Sequence, residues 1–329
     1  MTSELLVIEG LSLEFTDRDG NRRRPLAGID MEIKAGELVG VAGESGSGKS
    51  LTALAILGLL PPLRDVALSG SIRLRGRQLL GLAEPEWREV RGREVAYIPQ
   101  EPMNALNPTM RVGAQLSGVL RRRQGLDKSG AVQRGHALLE SMSIREPDRV
   151  WNAYPFELSG GMRQRVLIAM AFACEPRLVI ADEPTTALDV TVQAQILDLL
   201  RERATDAGAS VLFVSHDLAV LAELCQRLYV MYAGCVMESG PTNDVLVTPR
   251  HPYTRALLEC RPTIARRGNP LPVLGAGPPA PAGACAFVGR CAVADPRCAN
   301  RPPWITSNKL EVSSAATAHR VACWQEQPT

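Results

Sequence analysis

Gly43-Glu44-Ser45-Gly46-Ser47-Gly48-Lys49-Ser50 decides how this chain is read. It is a complete G-x-x-x-x-G-K-[ST] phosphate loop, with the apolar run Leu38 to Ala42 before it and a helix-compatible stretch after it. Each part of the pattern has its own task. The glycines let backbone N–H groups turn inward toward phosphate oxygens, and a helix starting near Lys49 adds its positive dipole end. Lys49 is expected to reach the β- and γ-phosphates and the Ser50 hydroxyl to coordinate Mg²⁺, so a nucleoside triphosphate and Mg²⁺ are the implied ligands. A glycine-rich turn with no ligand is the plainer alternative, and the full spacing and both flanks speak against it.

Outward from the loop, short apolar runs alternate with longer helical patterns, which predicts an α/β fold with a largely parallel sheet covered by helices. Leu38 to Ala42, Leu178 to Ala181 and Val211 to Val214 read as buried strands. Val192, Ile196, Leu199 and Leu200 fall at helical spacing, with Asp189 or Thr191 placed to cap that helix. At the end of the second strand Asp182 and Glu183 emerge together. Adjacent carboxylates there invite a division of labour, Asp182 holding the Mg²⁺ shell and Glu183 accepting a proton from the attacking water. Phosphate loop and carboxylate pair together imply a nucleoside triphosphatase.

From about 101 to 160 the pattern turns helical and more polar, which predicts a helical subdomain inserted between sheet segments. Residues 268–283 carry five prolines and four glycines in sixteen positions and read as an extended linker. The expected organisation is a catalytic domain over 1–267, that linker, and a small cysteine-rich C-terminal appendage over 284–329.

Composition excludes more than it identifies. With 329 residues, 45% hydrophobic and 22% charged, the chain can bury a substantial core. A formal charge of +2 demands neither nucleic acid nor an anionic membrane, and the clusters Arg22–Arg24 and Arg121–Arg123 read as solvated faces. Glu4 and Glu9 argue against a signal peptide, and Gly58, Pro61 and Pro62 interrupt the most apolar region below the length of a membrane span. A cytosolic setting is expected, where eight cysteines are not a disulfide framework.

Leu158-Ser159-Gly160-Gly161-Met162, followed by Arg163-Gln164-Arg165, resembles the signature of ABC ATPases. Physically it is another anion site, a Ser159 hydroxyl with Gly160 and Gly161 leaving amides open at a helix start. Its company carries the resemblance. Gln100 in Tyr97-Ile98-Pro99-Gln100 matches the family's Q-loop glutamine, which senses Mg²⁺ and the attacking water. Ala187-Leu188-Asp189 is similar to the D-loop, and His216 in Val214-Ser215-His216-Asp217 to the switch histidine that contacts the γ-phosphate. Phe15 lies where the family has an aromatic ring stacking on adenine, the alternative being a core aromatic. The resemblance implies that two such domains close head to tail, each ATP between one domain's phosphate loop and the other's signature. It further implies a second ATPase subunit, copy or paralogue, acting on a pair of permeases, with the region after Gln100 as the permease contact. A non-transport ABC ATPase and a cassette that binds ATP without hydrolysing it are alternatives; Glu183 and His216 speak against the second.

Longer stretches resemble the oligopeptide and dipeptide importer branch: Ile98-Pro99-Gln100-Glu101-Pro102-Met103-Asn104-Ala105-Leu106-Asn107-Pro108, the run from Ala181 to Thr191, and His251-Pro252-Tyr253-Thr254. Phe156 departs from that branch, where histidine is expected. The resemblance implies peptide import at the cytoplasmic face of the membrane, with an external solute-binding protein; nickel, metallophore and other small-solute importers are the rival cargoes. The tail spaces Cys285, Cys291, Cys298 and Cys323 as C-x5-C-x6-C-x24-C. Four cysteines in a loop-rich piece too small for its own core point to a metal or cluster. Close Cys-x-x-Cys pairs usual for zinc are absent. The branch carries a [4Fe-4S] cluster in this region; zinc and unmetallated thiols remain the alternatives. Cys174, Cys225, Cys235 and Cys260 read as packed residues.

Overall fold

A computed structural model describes residues 4–62, 64–186, 188–260, 274–275, 277–306 and 318–326. Residues 268–273 and 276 of the expected linker lie outside the described residues, as do 261–267 and Ala187. The chain divides into two compact units. One, here the loop unit, comprises the described residues of 4–33, 38–80 and 215–329; the other, the carboxylate unit, comprises 34–37 and 81–214.

The loop unit opens with β1 (Glu4–Thr16) and β2 (Arg22–Lys34), then β3 (Leu38–Ala42), α1 (Lys49–Ile56), β4 (Arg64–Leu74) and β5 (Arg77–Gln78). Four of these strands form a sheet in the order β2-β1-β4-β5. Leu6 stands opposite Leu74 and Ile8 opposite Ile72 in antiparallel register, all four buried. All five residues of β3 are buried, the mark of a strand covered on both faces.

The carboxylate unit follows with α2 (Glu84–Val90), β6 (Val95–Ile98), α3 (Pro102–Ala105), α4 (Val112–Gln124), α5 (Lys128–Ser141), α6 (Pro147–Asn152), α7 (Gly160–Phe172), β7 (Leu178–Asp182), α8 (Val190–Ala207) and β8 (Ser210–Val214). β6, β7 and β8 run parallel, Ile98 opposite Ala181 and Asp182 opposite Val214. The helical stretch expected over 101–160 is α3 to α6, and Trp151 is its wedge. A β-carbon added to Gly113 of α4 or Gly135 of α5 would sit 2.3 Å or 2.2 Å from the Trp151 ring, so both helices admit only glycine there. The sequence reading of a capped helix after β7 holds: the Asp189 carboxylate accepts the Val192 N–H at 3.0 Å.

The chain then returns to the loop unit with α9 (Leu218–Leu224), β9 (Arg227–Tyr232), β10 (Cys235–Pro241), α10 (Thr242–Val247), α11 (Pro252–Glu259), β11 (Ile305–Thr306) and β12 (Arg320–Val321). β9 lies parallel to β3, β10 antiparallel to β9, and β12 antiparallel to β10. The tail is thus not the separate appendage expected from its composition. β10 would expose a row of unpaired backbone groups, and the short β12 covers it, Glu238 opposite Val321. Beneath that seam Glu238 is fully buried and accepts the Arg250 and His251 N–H groups at 2.7 and 3.0 Å, with the His319 ring at 2.6 Å. Burial opposes its charge, and these hydrogen bonds still hold its carboxyl below the usual range.

Overpacking at Trp151 is directly measurable. Gly135→Ala should lower stability by about 1–3 kcal/mol in urea unfolding. Gly118→Ala, in α4 with open space where its β-carbon would go, should instead be neutral or stabilising by up to about 1 kcal/mol.

Candidate active site

The phosphate loop is built backbone against backbone. Gly43 takes φ +151°, and a β-carbon there would meet the Met231 carbonyl of β9 at 2.2 Å. Gly48 takes φ +101°, with the Pro25 carbonyl 2.9 Å from its would-be β-carbon. Only glycine fits either position. Ser45 and Gly46 at the loop's crest are exposed, whereas Ser47, Gly48 and Lys49 are buried. The Lys49 ammonium donates to the Gly43 carbonyl at 2.8 Å and the Glu44 carbonyl at 2.9 Å, which sets its charge over the middle of the loop. Ser50, in the first turn of α1, is half-buried.

Other sequence-predicted residues of the loop unit fall near its sheets. The Ser215 N–H bonds to the Val41 carbonyl at 3.1 Å, so the chain leaves β3's side with His216 next, exposed. Phe15, near the end of β1, is half-buried and lines a depression with Pro61, Pro62 and Arg64. It is not fully buried, unlike the core side chains of β1.

The carboxylate unit gathers its own set. Asp182 closes β7, 3% exposed, and accepts from the Tyr97 hydroxyl at 3.2 Å. Burial and the Asp182 charge push that hydroxyl's pKa well above its ordinary value, so it stays a donor. Glu183 turns out of the strand at φ +45°, a conformation that costs a non-glycine residue about 1–2 kcal/mol. Its carboxylate accepts from the Gln100 amide at 2.8 Å and the Thr186 hydroxyl at 3.1 Å. The Q-loop glutamine and the expected base are thus in contact, and a strained backbone is held where two side chains hold its carboxylate.

Ser159 caps α7, accepting the Met162 N–H at 3.3 Å. Beside it a β-carbon on Gly160 would lie 3.2 Å from Leu188 and one on Gly161 2.7 Å from Val192. The signature glycines therefore pack closely against Leu188 and Val192, where a side chain on either would crowd its neighbour.

Two residues that hold the loop were not given that role by sequence reasoning. The Tyr253 hydroxyl, fully buried at the start of α11, accepts the Glu44 N–H at 2.9 Å. Arg290, in the tail, forks onto the Glu44 carboxylate at 2.6 and 2.9 Å. His251-Pro252-Tyr253-Thr254 was visible as a motif; nothing local marked Arg290.

The tail cysteines share one neighbourhood. Cys285, Cys298 and Cys323 are buried and Cys291 half-buried. Burial first, then the charges of Cys298, Cys323 and Cys291, push the Cys285 thiol up to about 11. Among the described residues, however, no three His, Cys, Asp or Glu side chains converge closely enough to hold a metal ion. The metal site expected from the four cysteines and the resemblance is therefore not seen as a formed ligand cage among the described residues.

A phosphate loop, paired carboxylates and a Ser-Gly-Gly helix start on this α/β fold define an ABC-type ATPase. The ABC transporter family matches residues 26–186, and the C-terminal region of oligopeptide/dipeptide transporters matches residues 237–298. The "probable D,D-dipeptide transport ATP-binding protein DdpD" of Escherichia coli is 47% identical over 99% of this chain and 98% of its own length. The oligopeptide transport ATP-binding protein OppD of Salmonella typhimurium is 42% identical over 91% of this chain and 89% of its own. Among solved structures, a dimeric post-hydrolysis state of the ATP-binding cassette MJ0796, bound to ADP and Pi, superposes with a TM-score of 0.64 at 25% identity, covering 72% of this chain and 99% of that one. The chain belongs to the ATP-binding subunits of the oligopeptide/dipeptide ABC transporters, and its activity is ATP hydrolysis coupled to import.

Two substitutions separate binding from turnover. Lys49→Ala should weaken ATP binding itself, read by nucleotide titration. Glu183→Gln should leave binding intact and lower steady-state turnover by about 100-fold or more, read as phosphate release.

Proposed function

We propose that this ATPase powers uptake of peptides through partner permeases, and that the residues above divide the work as follows. Lys49 and the amides of 43–50 hold the β- and γ-phosphates, and Phe15 receives the adenine. Ser50 and Asp182 offer the hard oxygen donors that Mg²⁺ requires, with Gln100 at its edge. Bound there, Mg²⁺ would neutralise phosphate charge. Glu183, oriented by Gln100 and Thr186, takes the proton of the water that displaces ADP from the γ-phosphorus, and His216 holds the γ-phosphate. Ser159, Gly160, Gly161 and Asp189 serve a second ATPase subunit's nucleotide.

The observation that carries the peptide reading is the match of residues 237–298 to the C-terminal region of oligopeptide/dipeptide transporters. Among the described residues no helix is long and apolar enough to cross a membrane, so membrane attachment falls to partners. Support for a permease contact comes from a cleft of the carboxylate unit lined by Met110, Ala114 and Val119 together with Glu84, Glu89 and Arg122. The subunit then sits at the cytoplasmic face, with two permeases, a second ATPase and an external solute-binding protein. Reconstituted with its permeases and solute-binding protein in vesicles, the protein should show ATP hydrolysis and uptake stimulated by di- and oligopeptides. Stimulation by a nickel chelate instead would overturn the peptide reading.

For the tail we propose a [4Fe-4S] cluster on Cys285, Cys291, Cys298 and Cys323. Zinc would draw four sulfurs to about 2.3 Å from one point. A four-iron cluster would be held by four cysteine thiolates, and the supporting observation is that Cys285 lies within electrostatic reach of Cys291, Cys298 and Cys323. The cluster would supply a structural clasp, since the ATP chemistry is complete without it. Protein purified without oxygen should carry about four irons and four sulfides per chain, lost in Cys291→Ser. Stoichiometric zinc or no metal would refute this part alone.

A further inference from the structure

Arg290 has the Glu44 carboxylate of the phosphate loop as its principal partner. The guanidinium has five N–H bonds in a planar fork. Nη1 donates to Glu44 Oε2 at 2.6 Å and the Tyr232 hydroxyl at 3.2 Å. Nη2 donates to Glu44 Oε1 at 2.9 Å and the Leu274 carbonyl at 3.1 Å, and Nε to the Gly275 carbonyl at 2.8 Å. Every N–H thus has an acceptor, and the side chain is only 13% exposed. Such a two-pronged, mostly buried pair fixes direction as well as distance.

The segment carrying Arg290 is itself packed closely against its neighbours. Phe287, 3% exposed, packs edge-on against Tyr232 at 5.2 Å and also against Tyr253 and His251. A β-carbon on Gly289 would meet the Pro278 carbonyl at 2.2 Å, and one on Gly277 the Gly289 carbonyl at 2.4 Å. Glu44 therefore receives two anchors from late in the chain: Tyr253 on its N–H and Arg290 on its carboxylate. Lys49, by contrast, donates to the Gly43 and Glu44 carbonyls.

From this geometry we infer that Arg290 is a positioning residue for ATP binding: it clamps Glu44, and through it the tail between Cys285 and Cys291 sets the shape of the phosphate loop. The inference does not depend on what those thiols bind. A pre-shaped loop binds phosphate without first ordering itself, so the clamp acts on nucleotide affinity and leaves the hydrolytic step to Glu183.

The test is a double-mutant cycle in the full-length protein, with MgATP titrated as ligand and steady-state hydrolysis measured in the assembled transporter. Arg290→Ala and Glu44→Gln should each weaken MgATP binding about 10-fold, raising KM while kcat stays near wild type. The double variant should be no weaker than either single one, and the charge-swapped pair Glu44→Arg with Arg290→Glu should recover part of the loss. If Arg290→Ala misfolds, Glu44→Gln, which leaves the tail's own contacts intact, carries the test alone. Unchanged MgATP affinity in Glu44→Gln, additive losses in the cycle, or a loss confined to kcat would each overturn the inference.

Discussion

The phosphate loop must present its N–H groups to an anion while its other side is pressed against solid protein, and the loop unit is arranged around that demand. Gly43 and Gly48 touch the Met231 and Pro25 carbonyls where side chains would stand, so the loop is closed by backbone of β9 and β2. β3 delivers the chain to that point fully buried, and α1 leaves with Lys49 turned back over the loop's carbonyls. A shift of β9 against β3 would move the Met231 carbonyl, the nearest wall that Gly43 meets. The parallel register of these strands, Val41 opposite Tyr229, is thus part of the nucleotide site even though neither residue is expected to touch ATP.

In the carboxylate unit the corresponding constraint is the turn at Glu183. Asp182 still belongs to β7 and pairs across to Val214, so its direction is set by the sheet. Glu183 leaves that register at φ +45°, its N–H still bonded to the Val214 carbonyl at 2.8 Å. Two neighbouring carboxylates are in this way sent to different environments, one buried beside Tyr97 and one held by Gln100 and Thr186. That separation suits the proposed division, Asp182 for metal binding and Glu183 for proton transfer.

Much of this was legible in the sequence because it is local. The loop glycines, the strand ending in Asp182 and the Asp189 cap depend on neighbours within a few positions, and pattern and spacing report them. What escaped depends on distant partners. Nothing around Gly113 or Gly135 announces that Trp151 occupies the space of their side chains, and nothing around residue 290 announces a partner at residue 44. The tail misled for a related reason. Its composition reads as a detached, stapled piece, yet the open edge of β10, which only the folded sheet possesses, draws β12 into the loop unit.

A glycine-rich loop also carries a cost that the distant anchors address. Glycine loses more backbone freedom on ordering than any other residue, roughly 0.5–1 kcal/mol beyond alanine at each position. Three of the eight loop residues are glycine, and their missing side chains can make no contacts that hold the loop in shape. Order must come from outside: Tyr253 on the Glu44 N–H, Arg290 on its carboxylate, and the packed backbone beneath Gly43 and Gly48. Two of these supports come from beyond residue 250, in a region the ATP chemistry itself does not use. Closing so long a segment onto the loop adds little entropic cost per extra residue, because that cost grows only with the logarithm of length. A C-terminal extension folded back on the nucleotide site is therefore an economical way to stiffen a loop that cannot stiffen itself.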